Sequence, residues 1–498
     1  MSPDQPRLRK VQAQADLSSP DIKALSKEVS YDELSQHNTK ESCWVVIYDK
    51  VWDVTDFLNT HPGGAQIILK HAGSDLTLLY DGAHDKTLVE RTLPPDCLIG
   101  KCDQEMAVKI ANRPPSELDL NLDIRLPYPP LNAILNVQDF EQAANSYLSP
   151  EALAYYSSGA EDEVSLREAQ SIFSRITFRP RVLRDVSRID TTRKMLGRPS
   201  SLPIYISPTG QSRYAHMKGD VCITRACGSE GILWCMPTTA NHEEVFAWRV
   251  DPQQPLALQL YTGQDYDKTR ALLRKAEALG VCAIFLTVDS PVIGRRERDD
   301  RAKVAKWGED AMLSQGIAKA GSTHLLNPRL TWADLAWIRE ATSLPLVLKG
   351  IQTVEDAVEA YNHGVDGIVL SNHGGRSLDT AQSPLMVLLE IRRHAAHLVT
   401  DPEIRKKFEI FIDGGFRRGT DVIKALALGA SAVGIGRPAL YALTCSYGQQ
   451  GVTRLINMLR NEIETSMALL GATNLDELVP QMVNVERLEG EVQPKSKM

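Results

Sequence analysis

Between residues 203 and 435 the chain carries eight short apolar runs: Pro203–Ser207, Ile232–Met236, Leu256–Tyr261, Cys282–Val288, Pro345–Leu348, Gly367–Leu370, Phe408–Ile412 and Ala432–Ile435. Most are separated by amphipathic stretches of helix length, such as Thr353–Asn362 and Thr420–Leu428. Short apolar runs bounded by turn residues read as buried strands, and strands alternating with helices pair in parallel. Eight such units predict an α/β fold, a (β/α)8 TIM barrel. A doubly wound open sheet is the alternative, but no G-x-G-x-x-G follows the first strand.

A barrel of this kind keeps its chemistry at the carboxyl ends of its strands. Reading those ends in order gives Ser207-Pro208-Thr209-Gly210, Pro237-Thr238-Thr239, Gln259 with Tyr261, Thr287 with Asp289, Lys349-Gly350, Ser371-Asn372-His373-Gly374-Gly375-Arg376, Asp413-Gly414-Gly415-Phe416-Arg417 and Gly436-Arg437. In the sixth, a titratable imidazole and a bidentate carboxylate clamp stand three positions apart on a glycine turn. That pair can hold a small carboxylic acid and take a proton from it. Taken alone it reads equally well as a turn with two solvated side chains. A lone Asp after a strand is usually a helix cap and a lone Lys a surface charge, so the weight lies in all eight ends being polar. The last two turns, each with an arginine, suit a phosphate, with Arg417 or Arg437 offsetting its charge. Lys349 would place a positive charge near a cofactor's reactive ring.

Upstream, two histidines, His61 and His84, lie in a compact segment with aromatic strands, Cys43–Tyr48 and Val51–Val54, around an Asp49-Lys50 turn. They suit the two axial positions of a planar iron cofactor, a haem that carries electrons and leaves no open coordination site. Two solvated loop histidines, or a zinc site that includes His71, are the blander readings; no cysteine or carboxylate completes zinc spacing. The run Trp44-x-x-Ile47, Val51-Trp52-Asp53-Val54-Thr55-x-Phe57-Leu58-x-x-His61-Pro62-Gly63-Gly64 and Gly73-x-Asp75-x-Thr77 resembles the cytochrome b5 family. That resemblance implies a small α+β domain over 29–102 with haem b held by His61 and His84. Between residues 32 and 101, eleven acidic and six basic side chains leave a net charge of −5, a surface suited to a basic partner.

From Leu131 to about Gly471 the chain resembles the FMN-dependent α-hydroxy-acid oxidases and dehydrogenases. Tyr155-Tyr156-Ser157-Ser158-Gly159-Ala160, Phe178-Arg179-Pro180-Arg181, Thr287-Val288-Asp289-Ser290-Pro291, Gly294-Arg295-Arg296-Glu297, Leu348-Lys349-Gly350, the histidine motif and Asp413–Gly419 carry it. The resemblance implies FMN held by Ser207, Pro208, Thr209, Gly210, Pro237, Gln259, Thr287, Lys349, Asp413, Gly414, Gly415, Phe416, Arg417, Gly436 and Arg437. It makes His373 the base, steadied by Asp289, with Arg376, Tyr155 and Arg296 on the substrate carboxylate and Tyr261 on its hydroxyl. It implies oxidation of an L-2-hydroxy acid, L-lactate foremost, with electrons leaving through the haem to cytochrome c or a similar soluble acceptor, and a homotetramer. An oxidase that reduces oxygen, and a haem carrier whose barrel only binds a ligand, are the rival functions. Gly210 stands where the family has Ala, and Thr239 replaces a larger residue, which opens the question of substrate size.

The remaining stretches read as a disordered lead (1–28), a Pro-rich linker (103–130), a barrel domain over 131–490 and a tail (491–498). Arg298–Pro328 reads as a lid, and Asn474–Met498 as a segment able to wrap a neighbouring subunit. A net charge of −7 argues against nucleic-acid binding, and no apolar run reaches the length of a membrane span. The N-terminus lacks a secretory apolar region, and eight cysteines without a C-x-x-C pair suggest a reducing compartment. The expected location is the cytoplasm, with the mitochondrial intermembrane space as the alternative.

Overall fold

The computed structural model describes residues 27–59, 65–69, 71–77, 80, 88–106, 128–307 and 325–493. The chain divides into two compact units, Met1–Leu126 and Pro127–Met498. In the first, β1 (Glu28–Val29), β2 (Trp44–Ile47), β3 (Lys50–Asp53), β4 (Ser74–Asp75) and β5 (Leu98–Cys102) form one sheet in the order β1-β5-β3-β2-β4. The β2–β3 turn is Tyr48-Asp49, one residue earlier than the sequence suggested, with Tyr48 at φ +62°. Glu28, read as part of a disordered lead, already pairs with Lys101; residues 1–26 lie outside the described residues.

Two parts of the b5-like signature prove to be one turn used twice. Asp53 Oδ1 accepts from Thr55 N at 2.9 Å, and Thr55 Oγ1 accepts from Cys43 N at 2.8 Å. Asp75 Oδ1 accepts from Thr77 N at 2.9 Å, and Thr77 Oγ1 accepts from Tyr48 N at 2.7 Å. Each Asp-x-Thr thus satisfies loop amides that the sheet leaves unpaired. Val45, Ile47, Trp52, Leu58, Ile68, Tyr80 and Val89 fill the core beside them. Of the stretch read as a linker, Met106 is fully buried against Val29, Leu34 and Val51, so the first unit extends past 102. Residues 107–127 lie outside the described residues.

In the second unit β6 (Thr177–Phe178) precedes a hairpin, β7 (Arg193–Met195) and β8 (Arg198–Ser200). Then β9 (Ile204–Ile206), β10 (Leu233–Met236), β11 (Leu256–Leu260), β12 (Ile284–Thr287), β13 (Leu346–Ile351), β14 (Gly367–Leu370), β15 (Glu409–Asp413) and β16 (Ala432–Ile435) close into a parallel barrel, β16 pairing with β9. All eight runs anticipated from the sequence are its strands. Side chains alternate as a pleat requires. Tyr205, Leu233, Ala257, Phe285, Val347, Val369, Phe411 and Ala432 pack together in the interior, while Ile206, Trp234, Leu258, Leu286 and Leu348 pack in the other layer, with the helices.

The β7–β8 hairpin closes the amino end of this barrel. Met195 and Leu196 join the interior cluster, and Leu196 N donates to Glu409 Oε1 at 2.7 Å, on the first residue of β15. The open end is therefore the carboxyl end, where the polar residues gather. The C-terminal segment, read as able to wrap a neighbouring subunit, packs through its described residues on its own barrel. β17 (Val483–Asn484) pairs with β6, and Met482, Leu488 and Val492 are buried in the barrel's outer core. Arg298–Pro328, read as a lid, begins as the helix Glu297–Trp307; residues 308–324 lie outside the described residues, as do 494–498. Among the described residues no helix is long and apolar enough to cross a membrane. All eight cysteines are unpaired, six of them buried.

Glu409 carries a cost within this closure. Its Oε2 is buried without a partner among the described residues. Burial pushes its pKa up from 4.5 to about 7, against the Leu196 amide and Arg193. A carboxyl whose pKa is higher folded than unfolded takes up a proton on folding, so its stability is present at low pH and lost as pH rises through 7. The loss amounts to about 3 kcal/mol. Thermal unfolding from pH 5 to 8 should show a falling midpoint in the parent and a flatter one in Glu409→Gln; parallel curves would refute the assignment.

Candidate active site

His373 follows β14 by three residues and sits at φ +58°, a left-handed conformation uncommon for residues other than Gly. One hydroxyl holds it there. Ser371 Oγ accepts from His373 N at 3.1 Å and from Lys349 Nζ at 2.9 Å. The imidazole Nδ1 lies 2.9 Å from Asp289 Oδ1 and 3.1 Å from Ser290 Oγ. Nε2 is thus the nitrogen left for a ligand.

The Asp289 side chain has 0% exposure. Burial by itself would raise its pKa, but the charge and hydrogen bond of His373, then Lys349, outweigh burial and hold it below the usual carboxylate value. Gly350 makes room for it: at φ +113°, a β-carbon there would fall 2.5 Å from Asp289 Cβ. A register shift in β13 between Lys349 and Ile351 accompanies that close approach.

Tyr155 anchors the carboxylate end. The Arg376 guanidinium lies 4.8 Å and that of Arg296 5.6 Å from its ring centre. Burial and then Arg376 lower the pKa of Arg296, against Asp299 at 3.9 Å, as two neighbouring cations do. Tyr261 has its pKa pushed up to about 12 by burial and then by Asp289, so its phenol stays protonated and able to donate. Gln259 is fixed at both ends of its amide, accepting from Thr238 N at 3.1 Å and donating to Thr287 Oγ1 at 3.0 Å.

All the anticipated barrel residues except Asp289, which stands behind His373, line one cavity of about 400 Å³. Three roles read differently in the structure. Lys349, taken as standing alone, is 3.1 Å from Asp413 Oδ2; burial would lower its pKa, but Asp413 and Asp289 raise it above the ordinary lysine value. Arg417 is paired with Glu141, Nη2 to Oε1 at 3.0 Å. Arg437 gives its guanidinium to main-chain carbonyls: Tyr156 at 2.8 Å, Gly374 at 3.0 Å and Ser158 at 3.0 Å. It ties the helix Pro150–Ser157, which bears Tyr155, to the His373 turn. Ser290, Ser371 and Glu141 escaped sequence reasoning; Ser290 was signalled only by its place directly after Asp289.

Comparison with known proteins gives this geometry its context. Residues 144–485 match the family model "FMN-dependent dehydrogenase". The chain belongs to that family. Residues 30–103 match the cytochrome b5-like heme/steroid binding domain. The L-lactate dehydrogenase (cytochrome) of Wickerhamomyces anomalus is 40% identical over 94% of this chain and 82% of its own length. That of Saccharomyces cerevisiae is 38% identical over 95% and 82%. Among solved structures, a double-mutant flavocytochrome b2 with pyruvate bound aligns with TM-score 0.69 at 38% identity, over 78% of this chain and 95% of that one.

The cavity fits the FMN that the family carries. Thr209 Oγ1 is buried in its wall without a partner among the described residues. Gly414 and Gly415 turn at φ +96° and +83°, exposing main chain where a phosphate needs amides, and Lys349 supplies positive charge. In the first unit the buried apolar core suits a haem, while His61 and His84 lie outside the described residues. Ser290→Ala should retain flavin and lower kcat/KM by about fivefold, the loss of one hydrogen bond of about 1 kcal/mol to the base. An unchanged kcat/KM would show that the hydroxyl contributes nothing to the base.

Proposed function

We propose that this protein oxidises L-2-hydroxy acids, L-lactate among them, to 2-oxo acids and passes the electrons through FMN and haem to a soluble acceptor such as cytochrome c. The observation that carries this reading is His373, held 2.9 Å from Asp289 behind it, sharing a cavity with Arg376, Arg296 and Tyr155. FMN, when bound, supplies the two-electron acceptor. Arg376 and Arg296 hold the substrate carboxylate against the Tyr155 ring, Arg376 with its planar fork. Tyr261 donates to the substrate's hydroxyl oxygen. Whichever of the C–H and O–H bonds breaks first, one proton ends on His373 Nε2. Nδ1–H then points at Asp289, whose negative charge stabilises the imidazolium.

His373→Gln, read by stopped flow, tests this reading. The variant should keep its flavin yet lose substrate-driven bleaching by at least about 10³-fold. In the parent, flavin bleaching should be followed by haem reduction. Fast oxygen consumption with the haem left oxidised would instead indicate an oxidase.

The substrate's side chain meets Gly210 and Thr239. A β-carbon at 210 would lie 3.5 Å from Thr239 Oγ1 and 3.7 Å from the Tyr155 hydroxyl, ordinary contacts, so a methyl group fits where this chain leaves space. That space favours acids bulkier than lactate. Gly210→Ala should lower kcat/KM for 2-hydroxyoctanoate relative to L-lactate by about tenfold. An unchanged ratio would move the side-chain pocket elsewhere.

A further inference from the structure

Asp379 is a buried carboxylate three residues past Arg376, and no step of the chemistry above uses it. Its oxygens reach across 214 and 215 residues of sequence: Oδ1 accepts from Ser165 N at 2.8 Å and Oδ2 from Val164 N at 3.1 Å. Those are the first two amides of the helix Val164–Ser171. The residue in front of them, Glu163, lies at φ +59° and gives the helix no side-chain cap. Asp379 therefore caps it from another loop, a carboxylate facing the positive end of the helix dipole. Ser165 Oγ adds a bond to Ala381 O at 2.8 Å. Burial alone would raise the pKa of Asp379, but the amides of Ser165 and Val164 outweigh it and hold the group below the usual carboxylate value.

The stretch between Tyr155 and Ser165 is thereby fastened to the His373–Asp379 loop at both ends. At one end Arg437 joins the carbonyls of Tyr156 and Ser158 to that of Gly374, and Ala160 N donates to Gly375 O at 2.7 Å. At the other, Asp379 is the fastening. The packing between them leaves no slack: a β-carbon on Gly375 would lie 2.7 Å from Leu166 N, and one on Gly159 3.0 Å from Gly375 O. Leu166, Arg167 and Gln170 of the capped helix also wall a second cavity, beside the first and sharing Arg417 and Arg437 with it. What the two fastenings set in common is the distance from Tyr155 to Arg376, 4.8 Å from ring centre to guanidinium carbon. With one released, the stretch would pivot about Arg437.

We infer that Asp379 is a positioning residue for the carboxylate clamp. By capping the helix that follows Tyr155 from the loop that bears Arg376, it sets the Tyr155–Arg376 spacing and so the affinity for a substrate carboxylate. The inference rests on the clamp proposed above. Asp379 itself lines neither cavity and acts on the helix through main-chain amides.

Two readouts on the FMN-loaded full chain test it. One is the Kd of oxalate, a carboxylate without a C–H bond to break, followed by the flavin spectrum; the other is the split of L-lactate turnover into kcat and KM. Asp379→Asn, which keeps one acceptor oxygen, should weaken oxalate binding and raise KM by about fivefold each. Its kcat should change by less than about twofold, because binding is lost equally from ground and transition states. Ser165→Ala, which cuts only the hydroxyl bond to Ala381 O, should shift both constants the same way by about threefold, and it tests the inference even where Asp379→Asn loses flavin. In a Tyr155→Leu background neither substitution should weaken oxalate further, since the clamp is then already open. Unchanged oxalate affinity in flavin-loaded variants of normal melting temperature, or effects that add fully to Tyr155→Leu, overturn the inference. The expected oxalate response in a parent that oxidises no 2-hydroxy acid would uphold the inference and defeat only the catalytic reading.

Discussion

The Asp289 carboxylate has no surface open to water, and a buried charge without partners costs several kcal/mol. Three neighbours make the burial tolerable: His373, Ser290 and Lys349. Lys349 is itself buried and leans on Asp413 and Ser371. The resulting network joins the ends of four adjacent strands, β12 to β15, through alternating charges and one hydroxyl. Moving any member leaves another charge unpaired, so the network holds the base in one orientation. The same contacts that make Asp289 affordable also fix the orientation of His373.

Geometry locks what charge has arranged. Gly294 packs so closely that a β-carbon would lie 2.2 Å from Arg376 O, and Gly350 yields its space to Asp289. Arg437 adds a knot of three carbonyl bonds between the Tyr155 helix and the His373 turn. The His373 turn and the Tyr155 helix come from segments more than 200 residues apart, yet they are positioned as one body. Closing the far end of the barrel with Met195 and Leu196 leaves a single face for this assembly.

The barrel was legible because its strands are short apolar runs at regular intervals, a pattern that survives without knowledge of contacts. The site was legible because a barrel's strand ends are known in advance to converge, which turned eight weak signals, Gln259 and Lys349 among them, into one cavity. Side-chain direction was not legible. Arg417 and Arg437 follow glycine turns in the same way, yet one reaches a carboxylate on a helix 276 residues away in sequence and the other a set of carbonyls. The seat of the C-terminal segment was not legible for a related reason. Its apolar residues announce that they are buried but not against which surface, and Met482, Val483 and Val492 turn out to cover this barrel.

Periodicity and residue chemistry by themselves determined the strand count, the catalytic face and the pairing of an imidazole with a guanidinium at Ser371–Arg376, since these are properties of short stretches. Only the tertiary structure decided that Ser290 reaches the base, that Lys349 is charge-paired, that Glu409 is buried beneath the β7–β8 hairpin, and that a second cavity stands beside the first. Each of those depends on distances between residues far apart in the chain, and burial sets their charge states, which composition cannot encode.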